Sequence, residues 1–234
     1  MSETTMDVYL EIGKKKLFAG AVDWPGWCCG GKDEATALAA LLAAAPRYAA
    51  LLQNTSLTFE VPTSADAFHI VERVPGTNTT DFGAPDALIT RDHAPFSAED
   101  LAEAQSLLAA YWAGFDAAVE TAVGHELRKG PRGGGRELEG IVEHVLESSA
   151  SYLRVLGWKF PKVKDESPAQ RMARLREEIG NGLAAAAAGE LDEEGPRGGK
   201  RWPPRYFVRR LGWHIIDHIW EIEDRMQWAV YRGK

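Results

Sequence analysis

The segment Trp213-His214-Ile215-Ile216-Asp217-His218-Ile219-Trp220-Glu221-Ile222-Glu223-Asp224-Arg225 carries the side chains with the most chemical potential. At about 100° per residue on a helix, His214, Asp217, His218, Glu221 and Arg225 share one stripe. Histidines four apart on a helix sit about 5–6 Å apart at Cβ, close enough to hold one divalent ion together. The same stripe is compatible with a plain solvated face, so this segment alone leaves both readings open. A zinc-protease arrangement is excluded, because that chemistry needs a glutamate directly after the first histidine, and Ile215 stands there. His144 adds a third imidazole on a separate helical segment, beside Gly140, Ser148 and Ser151. Those small neighbours leave room for an ion or ligand, although a lone histidine in such a place is equally a half-buried hydrogen-bonding residue. Two helices supplying one and two histidines make a usual metal site inside helical packing. Asp217 and Glu221 are the candidate catalytic residues, placed to orient imidazoles or to move a proton.

Other reactive groups are less pointed. Cys28 and Cys29 follow a Pro-Gly turn, and sequence neighbours bridge only with strain, so ordinary thiols are expected. Lys200, Arg201, Arg205, Arg209 and Arg210 form a basic tract. It is suited either to an anionic substrate or to an acidic surface on a neighbouring chain. The basic, glycine-rich stretch 128–136 lacks the preceding strand and the closing Lys-Ser/Thr of a phosphate cradle, and reads as a connection. His69, His93 and His125 have no assigned role.

The elements that must position these groups divide the chain at its middle. Residues 1–75 read as an α+β unit. Val8–Ile12 and Lys16–Val22 form a hairpin across Gly13-Lys14-Lys15-Lys16, and a helix is capped by Asp33. Strands are expected at Leu57–Val61 and Ala67–Val74, giving an antiparallel sheet. The stretch 76–96 is rich in Thr, Asn, Asp, Gly and Pro and reads as a linker. Residues 97–234 read as four helices. The first begins at a Ser97/Asp100 capping pair and runs to about Val123, and the second spans about Glu137–Leu156. The third starts at Ser167-Pro168 and ends by Gly189, and the fourth runs from Pro203-Pro204 to about Tyr231.

Residues 97–234 resemble the DinB/YfiT-like superfamily of four-helix bundles. The likeness sits in Glu143-His144-Val145-Leu146 with its following serines, and in Trp213–Arg225 with its Trp-Glu-Ile-Glu-Asp-Arg tail. The resemblance implies one divalent ion held by His144, His214 and His218, with zinc or nickel first among the metals that imidazole suits. It also implies activation of a thiol or of water, a low-molecular-weight thiol as a co-reactant, and a homodimer. The aromatic and arginine density at 202–206 and 213–228 suits such an interface. The N-terminal part is similar to HicB-like antitoxin domains, through Phe18-Ala19-Gly20-Ala21-Val22-Asp23-Trp24-Pro25-Gly26-Trp27-Cys28 and the helix opened by Asp33-Glu34-Ala35. The expected fold class is therefore α+β: a HicB-like domain (1–75), a linker (76–96) and an all-α DinB-like bundle (97–234). The alternative function is a non-catalytic binding or regulatory protein with a structural ion.

Composition narrows the partners. The chain has 234 residues, a net charge of −7 and 45% apolar residues. An acidic chain is poorly suited to a phosphate backbone, so nucleic acid is not an expected partner. Charge-free runs such as Ala35–Pro46 stop short of the roughly 18–20 apolar residues of a membrane span. The early acidic residues Glu3, Asp7 and Glu11 do not suit a signal peptide. Two adjacent cysteines offer no disulfide framework. A cytoplasmic protein acting on a small-molecule substrate is the expectation.

Overall fold

In the computed structural model, which describes residues 5–129 and 135–231 (227–231 by backbone alone), a four-stranded sheet precedes a set of helices. The architecture is α+β. Strands β1 (Met6–Ile12), β2 (Leu17–Ala21) and β3 (Cys28–Gly31) are followed by helix α1 (Glu34–Leu52) and strand β4 (Phe68–Pro75). The sheet order is β3-β2-β1-β4. β1 and β2 form the expected hairpin, closed by the Gly13 amide on the Lys16 carbonyl at 2.9 Å.

Three expectations for the sheet need correction. β4 pairs with β1 in parallel, so the sheet is mixed rather than antiparallel. The chain crosses over through α1 before β4 enters beside β1, and such a crossover delivers a parallel neighbour. Cys28-Cys29-Gly30-Gly31 is a strand, hidden in the sequence because glycine disfavours strands. Leu57–Val61 joins no ladder. Its Phe59 instead completes an aromatic cluster, with ring centroids 4.9 Å from Trp24, 5.1 Å from Trp27 and 5.0 Å from Tyr48.

Helix α1 begins at Asp33, whose carboxylate accepts from the Thr36 amide at 2.8 Å. Its buried face is Ala37, Leu41, Ala45, Tyr48 and Leu52. Among the described residues α1 is the one helix long and apolar enough to cross a membrane by composition. Here that face packs on the sheet and on the helices that follow. The Trp27 indole donates to the Leu41 carbonyl at 3.1 Å, and the Tyr48 and Tyr111 hydroxyls lie 2.7 Å apart.

The segment 76–96, read as a linker, carries helix α2 (Asn78–Phe82) and a 3-10 turn at Thr90–His93. It supplies partners for charges buried on both sides. Glu11 on β1, with no solvent exposure, accepts from the Thr80 hydroxyl, from the Asp86 amide at 2.9 Å and from the Ala87 amide at 3.0 Å. Asp92 pairs with Arg209 further along the chain. We expect Thr80→Val to cost about 2 kcal/mol in urea unfolding, because a hydrogen bond to a buried charge is lost. Unchanged stability would show that Glu11 is held by the two amides alone.

Four long helices complete the chain: α3 (Ala98–Ala122), α4 (Leu138–Leu156), α5 (Pro168–Ala187) and α6 (Pro204–Tyr231). Ser97 with Asp100 and Ser167 with Gln170 form capping boxes, and Gly157 ends α4 at φ 112°. α6 packs on both α3 and α4, and α5 packs on α4 and α3. One buried apolar cluster joins the sheet, α1 and these four helices. At Gly26 (φ 98°) the turn before Trp27 approaches α6 so closely that a Cβ there would lie 3.0 Å from the Gly212 carbonyl carbon. The middle of the loop read as a connection, residues 130–134, lies outside the described residues.

Candidate metal centre

Helices α4 and α6 bring the three predicted histidines together. His144, His214 and His218 each offer a ring nitrogen, and these atoms all lie within 4.8 Å of one another. The ring centroids are 5.1, 5.0 and 4.7 Å apart. His214 and His218 are buried, whereas His144 is half-buried and marks the side on which solvent reaches the cluster. Two nitrogens each about 2.0–2.1 Å from a tetrahedral ion are separated by about 3.3 Å. His144 Nε2 and His214 Nε2 lie 3.2 Å apart. Burial lowers the pKa of both the His144 and the His214 ring, most strongly for His214, and the charges of His218 and Arg136 add to the effect, while Glu221 opposes it at His144. Imidazoles whose charged form is disfavoured by burial suit the deprotonated donor set that a divalent ion requires.

The surroundings of His218 fit the same role. Its Nδ1 lies 2.7 Å from Glu221 Oε2, leaving Nε2 for the cluster. Arg225 donates to Glu221 Oε1 at 2.8 Å and to the Arg128 carbonyl at 2.7 Å. The hydrogen bond from His218 is the main cause that holds the Glu221 carboxyl below its usual range. A carboxylate behind a ligating histidine fixes the ring and strengthens it as a donor. Glu221→Gln should therefore weaken zinc binding about 10–100-fold. A competitive chelator titration checks this, and unchanged affinity would mean that Glu221 does not support the ligand.

Asp217, paired with Glu221 in the sequence reading, makes no hydrogen bond to the imidazoles among the described residues. Its side chain is open to solvent, yet protein packed closely around it raises its carboxyl above the usual range against the pull of His218. His69 lies apart, paired to Asp7 at 2.9 Å, and His93 and His125 are exposed elsewhere. The two thiols are free, and alternation along β3 sends them to opposite faces. Burial pushes Cys28 up, and pushes Cys29 up to about 12 with a contribution from Asp217, so neither is a ready nucleophile.

The basic tract is largely consumed inside the chain. Arg201 donates to the Asp192 carbonyl at 3.0 Å, and Arg205 pairs with Asp100 at 2.5 Å. Arg209 is buried against Asp92 and donates to the Tyr9 hydroxyl at 2.7 Å. Tyr206 and Trp213, counted toward an interface, are buried within the fold, and the side chain of Trp228 lies outside the described set. Two neighbours of the cluster were not tied to it in the sequence. Tyr152 on α4 sets its ring 5.5 Å from His214, and Arg210 lies one turn before it. The signal for Arg210 was present, since it falls four residues before His214 on the same stripe. A cavity of about 290 Å³ between the turn after β2, segment 89–96, α3 and α6 is lined by Asp23, Ile89, Phe96, Glu103, Arg205 and Arg209, and does not include the histidines.

Comparison of the chain with protein-family models, curated proteins and solved structures finds no match.

Proposed function

We propose that this is a metal-dependent protein of the DinB/YfiT-like type, in which His144, His214 and His218 hold one divalent ion, zinc or nickel, for work on a small-molecule substrate. The convergence of three imidazole nitrogens from two helices within 4.8 Å carries this reading. A divalent ion with three neutral ligands lowers the pKa of a bound water or thiol. His218 is held in its tautomer by Glu221, and Glu221 by Arg225. Asp217, open to solvent one turn before Glu221, is the group placed to exchange a proton with water. The proposal extends to a HicB-like N-terminal unit and to a homodimer. Light scattering at about twice 25.7 kDa is expected, and the mass of a single chain would remove the dimer.

The test uses the full chain loaded with cobalt(II). A low-molecular-weight thiol such as dithiothreitol should add a thiolate charge-transfer band and shift the visible spectrum. A spectrum indifferent to thiol and to pH would mean a closed, structural ion and would favour the non-catalytic reading.

A further inference from the structure

We propose that Arg210 is the anchor for the carboxylate of a small monoanionic substrate, delivered beside the three-histidine cluster. This names a substrate class for the metal site and rests on that reading for its catalytic meaning, though not for the binding itself. Arg210 is 8% exposed. Its Nε and Nη1 are buried without a hydrogen-bond partner, and no ion pair of Arg210 exists among the described residues. Every other arginine of the tract from 201 to 209 has an acidic or carbonyl partner. A buried guanidinium without an anion is costly. The ring faces of Tyr152 at 5.3 Å and Trp213 at 4.8 Å offset only part of that cost.

The placement gives the charge a use. Arg210 and His214 are four residues apart on α6, so the guanidinium and the first imidazole share a face. A planar fork matches a carboxylate in two-point fashion. One unpaired cation, with Asp217 and Glu221 further along the same stripe, suits a monoanion better than a phosphate dianion. Tyr152, half-buried with its ring tilted 5.1 Å from that of Trp202, is the aromatic surface beside the guanidinium that the carbon body of the ligand would meet.

The experiment titrates the full chain, metal-free and zinc-loaded, with sodium acetate at constant ionic strength against chloride. The readouts are Trp213-sensitive fluorescence and calorimetry, with inorganic phosphate as a third arm. Acetate should saturate in both forms, bind more tightly than phosphate, and weaken at least about tenfold in Arg210→Met, the worth of a charge-assisted hydrogen bond. Arg210→Lys keeps the charge and loses the fork, and should weaken acetate as well while leaving zinc content unchanged. Should the methionine variant not fold, the lysine variant carries the test alone. Acetate acting no differently from chloride, or equally in wild type and Arg210→Lys, overturns the anchor. Phosphate binding tighter than acetate overturns the substrate class. Acetate binding without zinc uptake sinks the metal reading and spares the anchor. Zinc uptake without acetate binding does the reverse.

Discussion

His144→Ala is expected to abolish tight metal binding and the stability that metal confers, to the same degree as His218→Ala. The two residues sit on different helices, so an ion between them closes α4 onto α6, and its binding free energy adds to folding free energy. At a hundredfold excess of ion over its dissociation constant the stabilisation is about 2.7 kcal/mol. For a chain of this size that corresponds to roughly 5–10 °C in Tm. Both variants should lose this increment while their metal-free Tm values change much less. His69→Ala, His93→Ala and His125→Ala should keep it, because those side chains lie away from the cluster. A His144→Ala protein whose Tm still rises with stoichiometric zinc would place the ion on α6 alone, with Glu221 as the next ligand to test.

A second large effect is expected far from the histidines. Asp92 and Arg209 have side-chain exposures of 3% and 6% and pair at 2.5 Å. Arg209 also donates to the Ala87 carbonyl at 2.9 Å, so the pair ties segment 76–96 to α6. Asp92→Asn keeps the shape and removes the countercharge. Breaking one half of a buried pair costs about 3–5 kcal/mol, because the remaining charge stays buried. That is a large share of the stability of an ordinary domain. Replacing both residues, Asp92→Asn with Arg209→Met, should recover most of the loss, since no buried charge is then stranded. Urea unfolding measures both variants. A single variant within 1 kcal/mol of wild type would mean that water already screens Arg209.

The helices were legible in the sequence because their ends carry local chemistry. Ser97 with Asp100 and Ser167 before Pro168 mark starts that the structure reproduces to the residue. The spacing of His214 and His218 was equally local. Pairing them with His144, 70 residues before His214, rested on the usual build of metal sites in helical packing and on resemblance, since helical periodicity places a residue on a face and does not say which other helix that face meets. The sheet was harder. Whether β4 adds to β1 in parallel depends on the path of α1, and the strand at Cys28–Gly31 contains two glycines with no side chain to show a pattern. The polar composition of 76–96 matched a linker because turn residues and partners of buried charges are the same residue types. Thr80 and Asp92 acquire their roles only from Glu11 and Arg209, 69 and 117 residues distant. Arg210 was read as one basic residue among five. Only the structure, by giving partners to Arg201, Arg205 and Arg209, sets it apart.

The central claim is that three imidazoles share one ion, and X-ray absorption at the zinc edge counts them. Protein purified without an affinity tag and loaded with one equivalent of zinc should show three imidazole nitrogens at about 2.0–2.1 Å, with one further light ligand. His144→Ala, where it holds zinc at all, should show two. An all-oxygen shell, or the same imidazole count in wild type and His144→Ala, would contradict the site.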